Sequence, residues 1–238
     1  MPQIFQLELL TNTVLNLRQQ ISPTNTSVGT GTFISHSGKL YIVTAEHVAK
    51  DMQLDFKVIV KGTNDLPIEL NLEDLTQQTS SLNWTNHPDA DLAILELSPK
   101  PNILQTTLQN RFLPSENIHQ PKTVVNRNTQ LTVIGFPMGL GAVGHFSPLT
   151  FRTYASSGFL SLARFDNGKQ CTFIVLENPG VGGYSGGPVI DISIYENMGM
   201  QMTGLGTMIH GFLHGTISDQ TGGKLAAVTP SYYLFDIL

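Results

Sequence analysis

Cysteine is almost missing from this chain: among 238 residues only Cys171 carries a thiol, so no internal disulfide can form. A reducing compartment is the expected home. No basic start precedes an apolar leader and no eighteen-residue apolar run occurs, so the expectation is a cytoplasmic protein without a signal peptide or a membrane span. Charge is scarce as well. Asp, Glu, Lys and Arg make up 13%, the net charge is −5 without blocks, and 13 Lys plus Arg offer no basic footprint for nucleic acid, whose binding rests on phosphate neutralisation. So little charge also fits a surface partly covered by a regulatory protein partner. Helical periodicity is thin: residues 45–50 read as a short helix, and a second is expected near the end, where Ser231 is placed to cap 232–235. No histidine or acid pairs stand at ligand spacing, so neither a metal nor a cofactor is expected.

What the chain does have is a series of short apolar runs set off by 22 Gly and 13 Pro. Residues 32–34 and 40–44 flank Ser37-Gly38, a strand–turn–strand signature, because glycine takes positive φ without steric cost. Strands are also expected at 56–60, 92–97, 130–135, 188–191, 202–209 and 225–228. Runs at 157–162 and 170–176 are joined through Asp166-Asn167-Gly168, a hairpin signal. Segment 98–130 is polar and reads as a connector. The expectation is an all-β protein in two lobes.

The string Gly182-Gly183-Tyr184-Ser185-Gly186-Gly187-Pro188 concentrates conformational cost around one serine, since glycine loses the most backbone freedom on folding. A nucleophile explains it. A tight turn pushes the Ser185 hydroxyl outward while the N–H groups of Gly183 and Ser185 converge as an oxyanion hole. The alternative is a plain glycine-rich turn. A serine hydroxyl needs a base. Of seven histidines, His47 stands at the end of the apolar run 40–44, where the chain turns into a short helix. The base in turn needs a carboxylate to hold its tautomer. Asp91 directly precedes the apolar run 92–97 and is preferred to Asp89, two residues further out.

These motifs resemble those of the trypsin-like (chymotrypsin-fold) serine peptidases, in particular the disulfide-free bacterial branch that includes HtrA-type proteases. Thr44-Ala45-Glu46-His47-Val48 resembles the family's histidine motif and Asp91-Leu92-Ala93-Ile94-Leu95 its aspartate motif. Gly183-Tyr184-Ser185-Gly186-Gly187-Pro188-Val189 resembles its serine motif, and the chain order His, Asp, Ser is the family's. The resemblance implies two antiparallel six-stranded β-barrels followed by a short C-terminal helix. Residues 1–115 would form the first barrel, with His47 and Asp91, and 116–238 the second, with Ser185. It implies a serine endopeptidase acting on polypeptides through an acyl-enzyme on Ser185, with Met208, Ile209, His210 and Gly211 in one wall of the substrate pocket.

Two departures carry weight. Tyr184 stands where animal members have an aspartate that pairs with a freshly cleaved N-terminus, so activation by N-terminal processing is not expected. The pocket base falls near Pro179 rather than an acid, which disfavours Arg or Lys specificity and points to small or medium apolar side chains. His210 reads as a rim or surface residue, and Cys171 as a buried apolar one. Gly183-Tyr184-Ser185-Gly186-Gly187 also satisfies the nucleophile elbow of α/β-hydrolases, but that fold requires Ser, acid, His order and long helices. The competing class is a catalytically silent peptidase-fold module that binds peptides or partner proteins.

Overall fold

The computed structural model describes residues 2–76, 82–197, 200–218 and 224–238. Eight strands form a first sheet: β1 (Val14–Ser22), β2 (Asn25–His36), β3 (Lys39–Thr44), β4 (Lys57–Lys61), β5 (Pro67–Leu70), β6 (Trp84–Asn86), β7 (Ala93–Leu97) and β8 (Leu113–Pro114). Their order is β5-β4-β1-β2-β3-β7-β6, antiparallel throughout, with β8 added parallel to β2. The β2–β3 hairpin turns on Ser37 (φ 48°) and Gly38 (φ 79°), two positive values in succession that match the right-handed twist of the strands they join.

The second half supplies β9 (Leu131–Gly135), β10 (Leu149–Thr153), β11 (Ala155–Ala163), β12 (Gln170–Leu176), β13 (Pro188–Asp191), the small hairpin β14 (Ile194–Asn197) and β15 (Met200–Thr203), then β16 (Met208–Ser218) and β17 (Lys224–Pro230). Seven of them form an antiparallel sheet in the order β10-β9-β13-β16-β17-β12-β11. The two-sheet, all-β architecture expected from the apolar runs is present, with eight and seven strands where six apiece were expected. One apolar cluster joins the sheets, with Ile34 and Leu113 of the first meeting Ile134, Phe136, Ile190 and Phe212 of the second. Fully burying each such side chain stabilises the fold by about 1.5–3 kcal/mol, and this shared core holds the two sheets side by side.

Several elements depart from the sequence reading. Strand β1 was not foreseen: Val14, Leu15, Asn16 and Leu17 are all buried, so no polar–apolar alternation marks it. Asn16 joins this run by donating its amide to Gly29 O at 3.0 Å. The single strand expected at 202–209 is broken after Thr203, and β16 begins only at Met208. Gly206 between them has φ 139°, a conformation that ends strand pairing. Ser231 does not cap a helix. It opens a 3₁₀ turn, Ser231–Asp236, and its hydroxyl donates to His119 O at 2.6 Å.

Candidate active site

Ser185 lies in the turn that leads into β13. The Tyr184 N–H donates to Val181 O at 3.1 Å, and Gly183, third in that turn, has φ 101°. A turn of this hand needs glycine there; a Cβ on Gly183 would stand 2.3 Å from Phe136 O. The Met138 N–H donates to Gly182 O at 2.7 Å. Carbonyl and N–H point opposite ways across one trans peptide plane, so this bond turns the Gly183 N–H away from Met138. Among the described residues neither the Gly183 nor the Ser185 N–H has an acceptor.

The first sheet grips this turn through Thr30. Its N–H donates to Ser185 O at 2.9 Å, and its hydroxyl donates to Gly183 O at 2.7 Å while accepting from the Phe136 N–H at 3.0 Å. Gly186 (φ 83°) allows the close approach: a Cβ there would stand 2.2 Å from both Thr30 O and Thr44 Oγ1 and 2.9 Å from Ala45 N. Tyr184 is buried, edge-on to Phe151 with ring centroids 5.2 Å apart. It is a packed plug rather than a partner for a terminal amine, and burial pushes its phenol pKa up.

His47 is the second residue of the short helix Glu46–Asp51 that follows β3, and its side chain is 16% exposed. Its Nδ1–H donates to Asp91 Oδ2 at 2.8 Å and its backbone N–H to Oδ1 at 3.0 Å. A carboxylate only accepts, so the Nδ1 proton leaves Nε2 as the basic nitrogen. Asp91 is fully buried, takes one further donor, His214 Nδ1 on Oδ2 at 2.5 Å, and forms an ion pair through Oδ1 with Arg164 Nη2 at 2.8 Å. Burial alone raises the Asp91 pKa; the bonds from His214 and His47 outweigh it and hold the carboxyl well below the usual carboxylate range.

His214 links the two halves of the site. Its ring lies 5.4 Å, centroid to centroid, from that of His47 and stacks on Phe173 at 4.8 Å. Its backbone carbonyl accepts the Ser185 hydroxyl at 2.9 Å. The structure therefore brings His47, Asp91 and Ser185 together around one residue of β16. Phe165, from the β11–β12 hairpin, covers both rings, 5.1 Å from His47 and 4.6 Å from His214. Ligand atoms of His47, Asp91 and His214 lie within 4.8 Å of one another. Yet three donors and an ion pair already occupy the carboxylate, and a dication there would stand beside the Arg164 guanidinium.

The residues expected in the pocket wall lie elsewhere. Met208 pairs with Asp191 and Ile209 with Ile190, so Met208 is six residues along β16 from His214, about 20 Å at the usual strand rise. Ile209 is fully buried and bonded to the connector through the His119 N–H at 2.9 Å, Gly211 pairs with Val189, and the His210 ring lies 4.9 Å from that of His119. The strand stretch beside the Ser185 hydroxyl is instead His214–Gly215–Thr216. Thr216 donates to Gly180 O at 2.6 Å, and a Cβ on Gly180 would meet Leu213, Thr216 and Ala226. The break at Gly206 and the length of β16 put His214, rather than residues 208–211, beside Ser185. Asp89 points outward to Lys169 Nζ at 3.4 Å. Cys171 is buried, packed with Phe173 and Ala227. Arg164 and His214 carried no local signal: each is a lone polar residue at the edge of an apolar run.

Two joined antiparallel sheets with this site on their seam define the chymotrypsin-like fold. The sequence pattern of the trypsin-like peptidase domain matches residues 29–199, and the chain belongs to that family. Solved structures agree on the fold at low identity. An inactive serine-to-alanine mutant of Rv3671c from M. tuberculosis H37Rv is 15% identical, with TM-score 0.59 over 97% of this chain and 86% of that one. The HtrA-type protease AlgW with a tripeptide is 17% identical, with TM-score 0.59 over 96% of this chain and 60% of that one. A serine endoprotease from Yersinia pestis is 18% identical, with TM-score 0.51 over 96% and 62%. The chain thus spans about three fifths of those last two proteins. No curated protein matches it.

Proposed function

We propose that this chain is a serine endopeptidase that hydrolyses polypeptides through an acyl-enzyme on Ser185. His47 serves as general base and then general acid, Asp91 orients it, and the Gly183 and Ser185 N–H groups hold the oxyanion. The observation that carries this reading is the His47–Asp91 pair at 2.8 Å beside a glycine-flanked serine whose turn leaves two amides free. Such amides lower an acyl-transfer barrier by about 2.7–4 kcal/mol per donor. Gly180, Thr216 and Ala226 support a preference for small or medium apolar P1 side chains. The buried Tyr184 supports activity without N-terminal processing. The clustering of the strands supports a division at residues 1–115 and 116–238, the single cysteine supports a reducing, cytoplasmic setting, and the low share of charged residues supports a protein partner as regulator.

A second reading, a silent peptide-binding module, draws on the Ser185 hydroxyl donating to His214 O at 2.9 Å rather than to His47. An active-site fluorophosphonate separates the two. Stoichiometric labelling that disappears in Ser185→Ala supports the peptidase. A folded chain that binds peptides yet takes no label supports the module.

A further inference from the structure

Arg164 follows β11 in the second sheet, yet its side chain, 2% exposed, ends among residues of the first. Within its own hairpin, Nε and Nη2 fork onto the two oxygens of Asp166, both at 2.8 Å. Across the seam it reaches Asp91 Oδ1 at 2.8 Å and Glu46 Oε2. Glu46 immediately precedes His47, and Asp91 binds both the His47 ring and its backbone N–H. One guanidinium therefore grips the first sheet on either side of the histidine.

We infer that Arg164 is a positioning residue that presents Asp91 to His47 and, through its fixed charge, lowers the pH at which His47 takes up a proton. The inference rests on reading His47 as the base. The imidazolium formed there shares one carboxylate with a cation, and like charges at that range oppose each other. An arginine does not relieve the conflict by losing its own proton. The groups facing His47 are Glu46 from its own helix, Asp91 from the loop before β7, His214 from β16, and Arg164, Phe165 and Asp166 from the hairpin. Lys169 stands further out, on Pro88 O and Asp89. Among these, Arg164 is the one permanent cation on the Asp91 carboxylate.

The test follows the His47 ring by imidazole NMR across pH in the whole chain, alongside the pH dependence of fluorophosphonate labelling. Arg164→Gln is expected to raise the His47 midpoint by about one pH unit, with the acid limb of labelling moving with it. Arg164→Lys, which keeps the charge without the fork, is expected to leave the midpoint in place. Should Arg164→Gln not fold, Arg164→Gln/Asp166→Asn removes the guanidinium with the carboxylate held in its own hairpin, and the midpoint again rises. A midpoint unchanged in the folded Gln variants, with only melting temperature and rate reduced, makes Arg164 a structural staple and overturns the inference, as does a raised midpoint in Arg164→Lys. The NMR midpoint does not depend on peptide hydrolysis, so it separates failure of this inference from failure of the peptidase reading.

Discussion

The Ser185 hydroxyl donates to the backbone carbonyl of His214, 2.9 Å away. On the proposed peptidase reading, an extended peptide laid along His214–Gly215–Thr216 would bring a backbone N–H to that same carbonyl and free the hydroxyl for His47. Substrate length is then expected to act on kcat as well as on KM, because interactions away from the scissile bond assemble the reacting groups. Extending an ester or anilide substrate by two or three residues on its N-terminal side is expected to raise kcat about tenfold or more, the equivalent of one hydrogen bond of about 1.4 kcal/mol. Steady-state kinetics on a length series measures this; a kcat flat across the series contradicts it.

Thr30 is the residue through which the first sheet holds the nucleophile turn. In Thr30→Val the Gly183 carbonyl and the Phe136 N–H, both bonded to the Thr30 hydroxyl, lose their partner in a buried setting. Each such loss costs about 1–3 kcal/mol. Urea unfolding should show a destabilisation of about 2–6 kcal/mol, and the fraction that stays folded should lose kcat more than it gains KM. A stability within experimental error of the parent would show that the hydroxyl is dispensable.

Gly183 leaves no room for a side chain. With φ 101° and a backbone oxygen 2.3 Å from any added Cβ, Gly183→Ala must turn the 182–183 peptide or displace the Phe136–Met138 segment. The expected result is a loss of labelling rate by about a hundredfold or more with the β-sheet circular dichroism retained. Near-parental labelling would argue that the Gly183 N–H is not an oxyanion donor.

His210 gives a stability signature in mild acid. Burial and the neighbouring His119 push its pKa down to about 4. The depressed value means that the unfolded chain binds the proton first, so stability is full above the unfolded value of about 6.5 and falls as pH drops towards about 4. Integrated over that window the loss is roughly 3 kcal/mol. His210→Leu is expected to flatten the slope of unfolding free energy between those pH values. An unchanged slope would show that the ring titrates without hindrance.

The candidate site was legible where its chemistry demands unusual local sequence. Glycines on both sides of Ser185 were readable because the turn needs positive φ at Gly183 and Gly186 and close approach of Thr30. Asp91 and His47 were readable because each sits at the end of an apolar run. The same reasoning put residues 208–211 beside Ser185, where β16 instead brings His214, and passed over β1, whose two buried faces leave no alternation to read.

Residue types and their local spacing thus determined, without any coordinates, an all-β chain and three polar side chains worth bringing together. What only the tertiary structure decided is the company they keep: Thr30 on Gly183 across 153 residues, His214 on Asp91 across 123, and Arg164 reaching over the seam. Such contacts follow from strand order and register, long-range properties that no local pattern encodes. Two strands far apart in sequence become neighbours only when the sheet closes the distance between them.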